Sequence, residues 1–128
     1  MSKLKAEIIK YSKKLNITNL SALRSGNISV RAKEKEVDGF YITPSGREYG
    51  SLKPNDIVFV SLKGVYDKKK GKPSSEWRFH QDIYVNKKVA KAIVHAHSTC
   101  ATAVSTHQKS IPAFHYMVAV AGGEDIKC

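Results

Sequence analysis

The chain has 128 residues, 41% of them hydrophobic, with 22 Lys and Arg against 11 Asp and Glu for a formal charge of +11. That length suits one domain able to bury roughly two-thirds of its unfolded surface, and no apolar run approaches the ~20 residues of a membrane-spanning helix. Cys100 and Cys128 lack a CxxC spacing and, with no secretory leader legible before Asn16, fit a reducing cytoplasm better than a disulfide scaffold.

Leu4, Ile8, Ile9, Tyr11 and Leu15 recur at near-helical spacing and predict an amphipathic first helix. Asn16 to Gly26 supplies turn chemistry. Asn27 to Arg31 alternates as a half-buried strand, and Phe40 to Thr43 reads as its hairpin partner after a charged turn ending at Asp38-Gly39. Pro44-Ser45-Gly46 breaks that strand into a tight loop. Pro54-Asn55-Asp56 opens the way to a strand over Ile57 to Leu62, and Gly64-Val65-Tyr66 begins another. Ser74 or Ser75 caps a helix running to about Asn86, with Trp77, Phe79, Ile83 and Tyr84 toward its buried side. Ala92 to His97 has the apolar, β-prone character of a well-buried strand. Ser98 caps a small-residue helix through His107, Ile111 to Tyr116 is extended around Pro112, and Met117 to Ala121 is helical or strand-like before Gly122-Gly123. The sum is an α/β protein with a mainly antiparallel sheet.

The positive charge is dispersed. Only Lys68-Lys69-Lys70 is a tight cluster, placed in what reads as a hairpin turn and without interleaved aromatics, so a nucleic-acid surface is not indicated.

Three groups of residues carry possible chemistry. His95 and His97 lie two apart, which on a strand projects both imidazoles from one face. Such a pair suits zinc, but taken alone an HxH is more often two hydrogen-bonded core histidines. Glu76 at a helix start is either a favourable charge on the helix dipole or, beside a dication, a ligand and proton-transfer base. Its capping-box explanation is weakened because Ser74 and Ser75 directly precede it instead of standing three residues earlier. Ser74-Ser75, Ser45-Gly46 and Gly26-Asn27 offer amides and hydroxyls without bulk, the chemistry of a phosphate site, though each turn also has an ordinary structural explanation.

In order, Gly26-Asn27-Ile28-Ser29-Val30-Arg31, Ile42-Thr43-Pro44-Ser45-Gly46, Pro73-Ser74-Ser75-Glu76-Trp77-Arg78-Phe79-His80, Val94-His95-Ala96-His97 and Ser110-Ile111-Pro112-Ala113-Phe114-His115-Tyr116 resemble the class II aldolase/adducin family over nearly the whole chain. The resemblance implies a mainly antiparallel central sheet flanked by helices, a single domain over 1–128 that is incomplete at its C-terminus, and a cytoplasmic enzyme. It implies zinc-dependent aldol cleavage of a sugar 1-phosphate, of the L-fuculose-1-phosphate kind, to dihydroxyacetone phosphate and an aldehyde. Asn27, Ser45, Gly46, Ser74 and Ser75 would hold the substrate phosphate, and His95, His97 and resting Glu76 would bind Zn2+. Glu76 would then act as acid/base. Tyr116 would reach a neighbouring subunit's site in a homotetramer.

The family's third zinc histidine and a late tyrosine have no counterpart here, and His80, His107 and His115 lack ligand spacing. The resemblance therefore leaves an impaired chain, one completed by a separately encoded remainder, or a non-enzymatic adducin-like module as readings. Within the family, pentulose-phosphate 4-epimerases and methylthioribulose-phosphate dehydratases share the zinc histidines. The Arg78-Phe79-His80 continuation leans toward the aldolases.

Overall fold

A computed structural model describes residues 2–22 and 24–128. Helix α1 spans Ser2–Ile17 and places Leu4, Ile8 and Leu15 in the core, as their spacing predicts. Tyr11 departs from that stripe. It is 48% exposed, with the Lys10 and Lys14 ammonium groups over its ring. Ser12 takes the buried place one turn beyond Ile8, and its hydroxyl donates to Ile8 O at 2.7 Å. That bond satisfies the hydroxyl inside the core, so a residue that reads as surface sits inside.

Strands β1 (Asn27–Glu34) and β2 (Val37–Ile42) form the predicted hairpin, but with a shorter turn than Asp38-Gly39 suggested. The turn is Lys35-Glu36, with φ of 48° and 64°. Two left-handed residues match the twist of the flanking strands, and their usual signal is Asn-Gly, which is missing here. Glu36→Gly is expected to raise stability by about 1 kcal/mol by removing left-handed strain. An upward shift of the urea midpoint checks it. The change also removes only the exposed Lys33–Glu36 pair, a weak contact.

Strand β3 (Val58–Ser61) joins β2, and β4 (Ala92–His95) joins β1. Among the described residues the four strands form one antiparallel sheet in the order β3-β2-β1-β4. The period of two divides its faces. Ile28, Tyr41 and Ile57 pack with α1, whereas Phe40, Ile42, Val58 and Val60 pack with Tyr84 of helix α2, Trp77–Asn86.

Several expectations are corrected. Gly64-Val65-Tyr66 starts no strand, because Val65 folds back to donate to Ser61 Oγ at 3.0 Å. Lys68–Lys70 is a 3-10 turn capped by Asp67 instead of a hairpin turn. Strand β4 is not deeply buried. It lies at the sheet edge with β1 as its one neighbour, leaving Val94 59% exposed. Helix α2 begins after Glu76, which occupies the cap position assigned above to Ser74 or Ser75. Its buried side is His80 and Tyr84, with Trp77, Phe79 and Ile83 only half-buried. Helix α3 (Thr99–Ser105) follows Ser98 as expected, and Met117–Ala121 resolves as helix α4 (Tyr116–Val120). Both cysteines are free and exposed. Among the described residues no helix is long and apolar enough to cross a membrane.

Candidate active site

On its α2 side β1 carries Asn27, Ser29 and Arg31, a polar stripe within an otherwise apolar layer. Each of these groups has a hydrogen-bond partner. Arg31 donates to Tyr84 O at 2.7 Å, to Lys87 O at 3.1 Å and to Ala90 O at 2.8 Å. The last carbonyls of a helix have no intrahelical donor, so a guanidinium there both caps α2 and complements its dipole. The far end of α2 is thereby fastened to β1, which sets Glu76 above Asn27.

Between these anchors runs a buried hydrogen-bond chain. Ser29 Oγ lies 2.8 Å from Tyr84 OH and 2.7 Å from His80 Nδ1. His80 Nε2 in turn meets Asn27 Oδ1. His80 is 0% exposed, and burial, with a smaller contribution from His95, pushes its pKa down to about 4. A neutral ring suits this setting: its Nε2–H donates to the Asn27 carbonyl and its Nδ1 accepts from Ser29. The Asn27 amide is thus oriented with its nitrogen outward, where it donates to Glu76 Oε2 at 2.5 Å. His80 stays neutral in the folded chain while the unfolded chain takes up a proton below about pH 6.5. Stability should therefore be full above that pH and fall by on the order of 3 kcal/mol as pH drops to about 4. Urea melts of the metal-free protein check the slope, which His80→Gln should flatten.

The strand ends of β4 and β1 bring the histidines to the same place. His95 stands opposite Asn27 in the register. Gly26, at φ 78°, permits this approach, since a Cβ there would come within 2.6 Å of both His95 O and Ser21 Oγ. The chain leaves β4 after His95, and the His97 amide donates to Ser21 Oγ at 2.9 Å. Even so, the two rings face each other, with Nε2 atoms 2.8 Å apart and planes at 87°. Glu76 Oε2 lies 3.5 Å from His95 Nε2. The ligand atoms of Glu76, His95 and His97 all fall within 4.8 Å of one another.

Two imidazoles and a carboxylate form a donor set that zinc accepts, and two tetrahedral ligands at ordinary zinc distances stand about 3.3 Å apart. Two separations, 2.8 and 3.5 Å, bracket that value and the third stays within 4.8 Å, so the donor set suits the ion. Of the other histidines, His80 is buried behind Asn27 and His115 caps α4 through Met117 N.

Beside this cluster two loops build a cradle. Pro44 and Pro73 form a bridge, Ser45 N donates to Lys72 O at 3.0 Å, and Ser74 N donates to Thr43 O at 2.9 Å. Ser45, Gly46, Ser74 and Ser75 consequently line one cavity of about 230 Å³ together with Asn27, Glu76 and His97. The Ser45 and Ser74 amides are used by the loop contacts. The Gly46 and Ser75 amides have no acceptor among the described residues, and three serine hydroxyls and the second Asn27 N–H add to them. A larger apolar groove of about 850 Å³, bordered by Val58, Val65 and Tyr66, contains none of these groups.

Three further residues, Arg24, Ser25 and Tyr49, line the cavity without a sequence motif to mark them. Tyr49 OH donates to Gly26 O at 2.5 Å, and burial first, then the Glu76 charge, raises its pKa to about 12. Arg24 Nη1 donates to Gly46 O at 3.0 Å. Arg24 stands two residues before Gly26-Asn27 in a stretch that read only as a turn, and a lone aromatic such as Tyr49 carries no local signal. Tyr116 is not brought to the cavity. It begins α4, 72% exposed, with its ring against His115.

Comparison with known proteins matches residues 6–128 to the family model described as class II aldolase and adducin N-terminal domain. A 5-methylthioribulose-1-phosphate/5-deoxyribulose-1-phosphate aldolase of Rhodospirillum rubrum is 44% identical over 124 residues, covering 97% of this chain and 54% of the relative. An L-fuculose phosphate aldolase of Escherichia coli K12 is 42% identical over 127 residues, covering 99% and 57%. A solved structure of L-fuculose 1-phosphate aldolase superimposes with a TM-score of 0.86 at 39% identity, over 99% of this chain and 58% of that one. The chain spans a little over half the length of these relatives.

Proposed function

Because the chain belongs to the class II aldolase and adducin family, we propose that it carries zinc-dependent aldol cleavage of a ketose 1-phosphate, of the L-fuculose 1-phosphate type, to dihydroxyacetone phosphate and an aldehyde. One observation carries this reading: Glu76 and His97 of the metal-ligand cluster line the same small cavity as Ser45, Gly46, Ser74 and Ser75. A phosphate held by the cradle is thereby set beside a cation held by Glu76, His95 and His97. Bound zinc supplies Lewis-acid stabilisation of the negative charge that develops on the substrate oxygens.

The remaining work falls to the protein. The cradle binds the phosphate away from the reacting carbons and so contributes binding energy to orientation. Breaking the C3–C4 bond leaves its electron pair on the phosphorylated three-carbon fragment, and the C4 hydroxyl gives its proton to the Glu76 carboxylate as the aldehyde forms. Glu76 is the acid/base that returns a proton to C3, and the Asn27 N–H on Oε2 keeps its carboxylate aimed. Tyr116, exposed on α4, would act in the cavity of a neighbouring copy in a homotetramer.

The test is dihydroxyacetone phosphate release from L-fuculose 1-phosphate and from 5-deoxyribulose 1-phosphate, with zinc and with a chelator. Zinc-dependent release supports the proposal, and the preferred sugar identifies the aldehyde half. Tight zinc binding without cleavage of either sugar would favour a non-catalytic module.

A further inference from the structure

We propose that Arg24 is a phosphate-binding residue of this chain, adding a full positive charge to a cradle otherwise built from neutral donors. The inference rests on the reading that the cavity takes a phosphate. Arg24 lines the cavity with Ser45, Gly46, Ser74 and Ser75, and it is the one Lys or Arg among the lining residues. Its Nη1 donates to Gly46 O at 3.0 Å, which holds the guanidinium against the Ser45-Gly46 loop. Among the described residues no carboxylate pairs with it. A guanidinium has five N–H donors, and this bond uses one. No ion pair among the described residues occupies the other donors, which form the planar fork that matches two phosphate oxygens.

The charge also answers a problem the cavity poses. In the metal-free chain Glu76 lines the same space, and a carboxylate there repels an incoming phosphate dianion. Serine hydroxyls and amides supply hydrogen bonds without compensating that repulsion. Arg24 does both, and it makes the site select phosphorylated over unphosphorylated sugars.

The test titrates the purified chain with inorganic phosphate by calorimetry, comparing wild type, Arg24→Gln and Arg24→Lys, with a thermal melt of each without phosphate. Loss of one charge-assisted contact should weaken phosphate binding about 10- to 100-fold in Arg24→Gln. Arg24→Lys should recover part of the affinity, because it restores the charge without the fork. Melting temperatures should agree, as the side chain is exposed. Phosphate binding by Arg24→Gln equal to wild type would overturn the Arg24 assignment and leave the cradle standing. A wild-type chain that binds no phosphate would overturn the cradle together with it.

Discussion

Glu76→Gln is expected to reduce cleavage of a ketose 1-phosphate by about 10²- to 10⁴-fold, the range of a lost general acid/base. The substitution is close to isosteric, and saturating zinc offsets the weaker metal ligand it leaves, so the remaining loss reports on the proton. Asn27 is locked by His80 with its N–H₂ toward position 76, and the carbonyl of a glutamine accepts that hydrogen bond as the carboxylate does. What disappears is the proton-carrying oxygen. In the proposed cradle Ser45, Gly46, Ser74 and Ser75 would hold the phosphate from the neighbouring loops, so phosphate affinity should not fall while kcat does. That pattern marks a group acting in the transition state. Steady-state kinetics at saturating zinc provide the measurement. Retained kcat would remove Glu76 from its role as the base.

His95→Ala and His97→Ala should each weaken zinc binding by at least about 100-fold, above the usual loss for a residue that merely supports a ligand. The two variants test different supports. His95 ends β4 and has the Phe79 ring 5.2 Å away, which orients its imidazole. His97 is held by its backbone amide on Ser21, so removing its ring leaves that bond in place. Zinc titration against a chromophoric chelator reads both. If the histidines serve only as a hydrogen-bonded pair, zinc affinity will be indifferent to either change.

Much of this arrangement was legible in the sequence because short-range rules govern it. Alternation along Asn27 to Arg31, the punctuation at Pro44-Ser45-Gly46 and the small residues at Ser74-Ser75 each reflect a local backbone requirement. The order of the motifs then joined Glu76, His95 and His97 into one family pattern. The missed features depend on tertiary partners. Ser12 is buried because Ile8 O lies one turn away, and Tyr11 is exposed because lysines flank it. The Lys35-Glu36 turn adopts a conformation that its side chains do not announce. Strand β4 has a buried composition and an exposed position, since among the described residues β1 alone flanks it. Arg24 and Tyr49 reach the cavity through hydrogen bonds that span 22 and 23 residues of sequence. No local pattern encodes such distances. The buried His80 illustrates both cases: it belongs to the family motif, yet its role in orienting Asn27 emerges only from the packed structure.

The decisive measurement is the rate of dihydroxyacetone phosphate formation from L-fuculose 1-phosphate as zinc is titrated into the metal-free protein. The proposed site requires the rate to rise with zinc, to saturate near one ion per chain and to fall by at least about 100-fold in the Glu76→Gln variant. A chain that binds one zinc ion through His95 and His97 and leaves every ketose 1-phosphate uncleaved would contradict it.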